Sequence, residues 1–320
     1  MPETAIPIVD LTQFRTGDAA TKRDAAKRVT EICEGAGFFY LRGHGVPSEM
    51  LVRIFDEARR FFSLPLEERL RIPATVDHYR GFMQTGARTY GPKGRSDLME
   101  AFKMQMELPP DDPDLLAGKP LHQPNKWPAG LPGWREALLD YYAEMDRVTH
   151  ELLQVFALAL DLDEDYFAPF FQKPLTQLSL LHYPPQPADT PEDQFGIRPH
   201  TDTSAFTLLL QDDTGGLQVR PVGQDWIEAV PIPGTYVVNI GNMMARWSND
   251  RFISTPHRVI NRSGRQRFSV PFFANPDYDA VVECLPTCQS AANPPRYEPL
   301  AVGPYMLERF TSNWKQPKAA

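Results

Sequence analysis

The chain has 320 residues, 42% of them hydrophobic, with 33 basic and 41 acidic side chains and a formal net charge of −8. A chain this long buries roughly three quarters of its unfolded surface, enough for one large core with a helical annex, and an acidic balance with scattered basic residues excludes a nucleic-acid groove. Three cysteines argue against a disulfide framework, and neither a secretory leader nor an apolar run of ~20 residues is visible, so a cytoplasmic protein without a membrane partner is expected.

The N-terminal region reads as mixed α/β. A strand is expected at 6–11, then a helix at about 19–34 whose wet face carries Lys22, Arg23, Lys27 and Arg28, with Ala25, Val29 and Ile32 opposite. GFFYLRG (37–43) reads as a second strand. A second helix runs from Pro47 to Phe62, with Leu51, Ile54, Phe55, Ala58 and Phe61 on one face. Residues 78–106 mix aromatic, methionine and basic side chains with glycines. Prolines number 32, about twice the usual share, and their clusters at 109–132 and 184–199 mark loops. Between them, Leu138, Met145, Val148, Leu152 and Phe156 recur at helical spacing within 134–160, which makes that stripe core and leaves His150 on it without a ligand role.

From residue 198 onward the pattern becomes β. Segments 205–211, 216–220, 226–230 and 235–240 read as short strands, with Thr214-Gly215-Gly216 and Pro233-Gly234 as turns. A meander of this kind folds over into a jelly roll, of which the cupin-like barrel is one form, with a pocket in its mouth. His200 and Asp202 precede the meander at strand spacing i, i+2, so both can face one cation, and the meander can return His257 beside them. Two imidazoles and one carboxylate are the facial donor set of non-haem Fe(II) oxygenases, which leaves the opposite coordination face open.

Arg267 and Ser269 are again two apart, after the turn Arg262-Ser263-Gly264, which is expected to fold 265–273 back against 254–260. A guanidinium fork with a hydroxyl alongside binds a carboxylate through charge-assisted hydrogen bonds. Fe(II) on this donor set carries one positive charge. A doubly charged diacid reverses it and Arg267 returns the cluster to zero, which makes burial tolerable. Among the other candidates, His44 lies between glycines in a loop and is read as structural, and Cys284 and Cys288 form a lone Cys-x3-Cys without the further ligands a structural zinc needs.

IPIVDLTQF (6–14), GAGFFYLRGHGVP (35–47), FFSLPLEERLRI (61–72), LLHYPPQP (180–187), RPHTDTSAFTLLLQDDTGGLQV (198–219), VVNIGN (237–242), STPHRVIN (254–261) and RFSVPFF (267–273) together resemble the isopenicillin N synthase-like family of Fe(II)/2-oxoglutarate-dependent dioxygenases over nearly the whole length. The resemblance implies an α+β fold with a mostly β core: a double-stranded β-helix with an N-terminal mixed α/β region and flanking helices. It implies four stretches, an N-terminal dioxygenase region at 1–118, a connecting helical segment at 119–171, the dioxygenase core at 172–277 and a C-terminal segment at 278–320. It assigns Fe(II) to His200, Asp202 and His257, the far carboxylate of 2-oxoglutarate to Arg267 and Ser269, and a hydroxyl near that co-substrate to Tyr183; His182, next on the strand, should then face away. It implies that 78–106 overhangs the barrel mouth, with Arg88, Tyr90 and Phe102 as candidate contacts for a small-molecule substrate. Many members carry Asp where Asn242 stands. The implied activity is an oxidoreductase using O2 and 2-oxoglutarate to hydroxylate, desaturate or cyclise a small metabolite. Two alternatives stay open on the residues alone: an oxidase of the same fold in which Arg267 and Ser269 serve the substrate's own carboxylate, and a non-catalytic metabolite-binding barrel.

Overall fold

The computed structural model describes residues 6–87, 95–186, 190–191 and 193–312. Its frame is a pair of facing sheets. In chain order the strands are β1 (Ile8–Asp10), β2 (Phe38–Arg42), β3 (Gly81–Met83), β4 (Glu100–Gln105), β5 (Gln177–Tyr183), β6 (Ile197–His200), β7 (Phe206–Gln211), β8 (Leu217–Val219), β9 (Ile227–Glu228), β10 (Tyr236–Ile240), β11 (His257–Val259) and β12 (Arg267–Ala274). The major sheet has eight strands in the order β1-β2-β10-β7-β12-β5-β4-β3, and the minor sheet has four in the order β6-β11-β8-β9. The chain crosses between the sheets after β5, β6, β7, β9, β10 and β11, as a double-stranded β-helix requires.

Alternation along the major strands divides their side chains between two cores. Phe39, Phe102, Leu178, Leu180, Leu208, Val238, Val270 and Phe272 face outward into a core shared with the helices, whereas Phe38, Tyr40, Leu181, Tyr183 and Val237 face the minor sheet, meeting Leu217, Val219 and Val259. The helical side is built from α1 (Thr12–Thr16), α2 (Ala19–Gly35), α3 (Ser48–Phe62), the single turns α4 (Leu66–Arg69) and α5 (Pro113–Leu116), and the long α6 (Trp134–Ala159). Asp18 starts α2 by accepting the Thr21 backbone N–H at 2.8 Å, a cap that satisfies one orphan donor. Trp134, Leu138, Tyr141, Met145, Val148, Leu152 and Phe156 of α6 are fully buried; each such side chain contributes about 1.5–3 kcal/mol. The short α7 (Asn242–Trp247) follows β10, and α8 (Val302–Thr311) closes one end. Among the described residues no helix is long and apolar enough to cross a membrane.

Strands β1 to β4 lie in the same sheet as the core strands, two at each edge, so the N-terminal region and the β core share one sheet. Two expectations change. The stretch 265–273 does not fold back on 254–260: β12 pairs with β5 and β7, while β11 pairs with β6 and β8 in the opposite sheet. The turn at 262–264 therefore carries the chain from one sheet to the other, and turn chemistry is the same for a crossover as for a hairpin. Phe102 does not reach the barrel mouth. It is fully buried on the helical side of β4, edge-on to Trp134 at 4.7 Å and to Phe61 at 5.2 Å. Arg88 and Tyr90 lie outside the described residues.

Phe102→Ala is expected to cost about 3–5 kcal/mol of stability, the range for emptying an aromatic core site. Urea unfolding measures it, and a loss below about 1 kcal/mol would contradict the core placement.

Candidate metal centre and its two chambers

His200 is the last residue of β6 and pairs directly with His257, the first of β11. Their rings lie 4.3 Å apart between centroids. Asp202 is not on the strand with His200. The chain leaves the sheet after His200, and Asp202 sits two residues into the connection to β7. The three still converge: Asp202 Oδ1 lies 3.6 Å from His200 Nε2 and 3.7 Å from His257 Nε2, and one ligand atom from each falls within 4.8 Å of the others.

Each donor is oriented by what holds its other end. His200 Nδ1 lies 2.8 Å from the Arg198 carbonyl and His257 Nδ1 3.2 Å from the Thr255 carbonyl, so Nδ1 carries the proton and the Nε2 lone pair is left for a metal. Asp202 Oδ2 accepts from Thr207 Oγ1 at 2.6 Å and Asn239 Nδ2 at 2.7 Å, which reserves Oδ1. Burial holds the His257 imidazole well below its ordinary range, so the ring is neutral and able to ligate. Burial pushes the Asp202 carboxyl up, but the two imidazoles and the bonds from Thr207 and Asn239 outweigh it and the net direction is down. The carboxylate is ready as an anion.

The connection bearing Asp202 is pinned by backbone bonds. Gly241 N–H donates to Ala205 O at 2.9 Å, Asn242 N–H to Asp202 O at 2.8 Å and Met243 N–H to Ser204 O at 3.1 Å. A Cβ at Gly241 would stand 2.0 Å from the Ser204 carbonyl oxygen, so only glycine allows this approach. The part played by Asn242 is a main-chain N–H, which Asp would supply equally. On the other side, β6 is an edge strand of the minor sheet, and the segment 95–98 covers it. Asp97 Oδ1 accepts from Arg198 N–H at 3.2 Å and Arg198 Nε at 3.1 Å, and Leu98 N–H donates to Phe195 O at 2.9 Å.

Two chambers meet at the metal centre, sharing Leu181, Ile197, His200, Asp202 and Phe273. The inner one ends at Arg267, Ser269 and Tyr183. Arg267 is fully buried, donating from Nε to Gly215 O at 2.7 Å and from Nη1 to Ser269 Oγ at 3.2 Å, with its guanidinium 4.7 Å from the Tyr183 ring centre. Among the described residues no carboxylate forms an ion pair with it. A buried cation with only neutral partners is costly unless an anion arrives; the slot from Arg267 to the metal donors thus fits a molecule with a carboxylate at its far end. His182, the neighbour of Tyr183, faces away, its Nδ1 2.8 Å from Glu100 Oε1. The outer chamber, about 230 Å³, is bounded by Tyr79, Lys103, Gln177, Asn275 and, from α8, Met306 and Phe310. Phe310 stacks on Tyr79 with centroids 4.1 Å apart.

Sequence reasoning missed Thr207, Asn239, Asp97 and the outer-chamber polar groups. Thr207 and Asn239 were legible as lone polar residues on the inward face of apolar strands. Lys103, one residue from Phe102, occupies the chamber side that alternation denies to its neighbour.

A facial His-Asp-His centre between the sheets of a double-stranded β-helix defines a mononuclear non-haem iron oxygenase. Comparison with known proteins agrees. Residues 6–130 match the family described as non-haem dioxygenase in morphine synthesis N-terminal, and residues 175–276 match the 2OG-Fe(II) oxygenase superfamily. The chain is 40% identical over 326 residues to the 2-oxoglutarate-Fe(II) type oxidoreductase hxnY of Emericella nidulans, covering 100% of this chain and 93% of that protein. Its structure resembles that of a full-length Neurospora crassa protein crystallised in complex with alpha-KG (29% identity, TM-score 0.87, 97% of each chain). It also resembles JOX2 in complex with 2OG, Fe and JA (30% identity, TM-score 0.78, 97% of this chain and 89% of that one). The chain belongs to the 2OG-Fe(II) oxygenase superfamily, and its activity is that of an Fe(II)- and 2-oxoglutarate-dependent oxidoreductase.

Thr207→Val and Asn239→Leu should each weaken iron retention roughly 10–100-fold, the usual effect of removing a group that orients a metal ligand. Competition with a colorimetric chelator checks this, and unchanged retention in both would remove their assigned role.

Proposed function

We propose that His200, Asp202 and His257 hold Fe(II), and that Arg267, Ser269 and Tyr183 receive the far carboxylate of 2-oxoglutarate. The observation that carries the second assignment is the fully buried Arg267, whose partners among the described residues are all neutral. With both groups bound, the iron supplies the oxidising chemistry: O2 is consumed, 2-oxoglutarate leaves as succinate and CO2, and a C–H bond of a small organic substrate is oxidised, by hydroxylation in the default outcome.

The protein's own contribution is positional. Backbone carbonyls fix the imidazole tautomers, and Thr207 with Asn239 keeps the Asp202 carboxylate from swinging. Arg267 and Ser269 fix the far end of the diacid, so its other end reaches the metal in one pose. Burial pushes the Tyr183 phenol up, which keeps its proton on and makes it a hydrogen-bond donor to a carboxylate. Leu181, Leu209, Leu217 and Phe38 line the slot and exclude water from the reacting face.

The Neurospora crassa protein has been crystallised with alpha-KG and thymine, and JOX2 with JA; we take the substrate here to be a small organic molecule of that order. The three cysteines are unpaired, which supports a cytoplasmic setting.

Anaerobic addition of Fe(II) and 2-oxoglutarate is expected to give a weak visible charge-transfer band, lost in His200→Ala and Asp202→Ala. Arg267→Met should raise the 2-oxoglutarate concentration needed for half the band by roughly 30-fold or more, as truncating one partner of a buried charge pair costs about 2–5 kcal/mol. A band that survives either ligand substitution, or an Arg267→Met enzyme with unchanged 2-oxoglutarate affinity, would overturn the corresponding assignment.

A further inference from the structure

The outer chamber is polar at the metal donors and again at the end remote from them. Along β5 the inward side chains run Tyr183, Leu181, Ser179, Gln177. Tyr183 pairs with Arg267 at the co-substrate end, Leu181 borders both chambers, and Ser179 and Gln177 lie beyond it. Four residues of strand separate Leu181 from Gln177, about 13 Å. Lys103 stands across from Ser179 on β4, Phe273 across from Gln177 on β12, and Asn275 just past the end of β12.

At that remote end two buried amides have an oxygen without a hydrogen-bond partner. Gln177 is 5% exposed and Asn275 2% exposed; both line the chamber, and Gln177 Oε1 and Asn275 Oδ1 are unsatisfied. Their orientations are set from behind. Gln177 Nε2 donates to Ser179 Oγ at 3.1 Å, and Asn275 Nδ2 donates to the carbonyls of Leu175 at 3.2 Å and Phe273 at 3.3 Å. Each amide thus spends its donor side on the protein and keeps its acceptor. A buried acceptor left unmade is unfavourable; both oxygens are closed over in this structure, so a donor from the adjoining chamber reaches them as the side chains over them shift.

Beside these polar groups the chamber lining includes flat and soft side chains. Tyr79 and Phe310 stack, Phe273 faces Gln177, and Met83 and Met99 fill the side. The Lys103 ammonium, which donates to Tyr79 Oη at 2.9 Å, adds positive potential there. A flat ring with an N–H beside a carbonyl meets all three features: the N–H answers an amide oxygen, the carbonyl lies in the positive potential, and the ring faces stack on the walls.

We propose that Gln177 and Asn275 are the specificity-determining residues of the outer chamber, and that they select small planar lactam or imide heterocycles by their ring N–H groups. The ring edge opposite those groups then faces the metal. This rests on the oxygenase reading above and names the substrate class of the same site.

The test uses the Fe(II)- and 2-oxoglutarate-loaded enzyme without oxygen, titrated calorimetrically with uracil, thymine and 2-pyridone and with the N-methylated form of each. At least one N–H ring should bind, and its N-methylated form should bind roughly tenfold more weakly or worse, as expected where a site's buried polar group is left unpaired. Gln177→Met, close in shape to the native residue, should reduce that discrimination to less than about threefold while keeping the charge-transfer band, because it removes the unpaired acceptor itself. Asn275→Leu, close in shape to asparagine and without an acceptor, provides a second variant with the same expectation. With air admitted, succinate release should follow the same order across the panel. Absence of binding by every N–H ring, equal binding of the methylated forms, or full discrimination in both variants would each overturn the proposal while leaving the oxygenase reading in place. Loss of the charge-transfer band from the unaltered enzyme would instead overturn the co-substrate assignment, and this proposal with it.

Discussion

The site depends on a single buried carboxylate. Asp202 has one oxygen saturated by Thr207 and Asn239 and the other facing two imidazoles, an arrangement whose buried negative charge calls for a cation at one point. The surrounding sequence serves that requirement. Gly241 lets the turn after β10 close on the Asp202 connection, the pairing of β6 with β11 sets the two imidazoles side by side, and Asp97 ties down the edge strand that carries one of them. At the other end of the slot Arg267 is the opposite case, a buried cation without an acid among the described residues. On the proposed assignment Fe(II), Asp202, Arg267 and a dianionic diacid sum to zero, so each buried charge finds its counter-charge when both metal and co-substrate are present.

Much of this was legible in the sequence, for identifiable reasons. α2, α3 and α6 follow from apolar residues at helical spacing, and β7 and β10 from short apolar runs between glycine and proline turns, each to within a residue or two. His200, Asp202 and His257 could be picked out because few residue types ligate iron, and two of them stand two apart. The strand rationale for that spacing was incomplete: the strand ends at His200, and Asp202 is positioned by the main chain of the β10–α7 turn, which no local pattern announces.

The misses share a cause. Whether a turn closes a hairpin or crosses to the facing sheet depends on which strands are already paired, so the turn at 262–264 could not reveal its role. The outer chamber draws Tyr79, Lys103, Gln177, Asn275 and Phe310 from across the chain, and only topology assembles them. Phe102 is the instructive error, since alternation within EAFKMQ sorts Phe102 and Met104 from Ala101, Lys103 and Gln105, and the apolar pair belongs to the helical core.

The contribution of α8 separates two kinds of wall. The proposed iron ligands lie between residues 200 and 257 and the Arg267 end soon after, whereas Met306 and Phe310 reach the outer chamber from α8. An oxidant escaping a substrate-free centre into that chamber would meet Met83 and Met99, both in its lining and both oxidisable to sulfoxide.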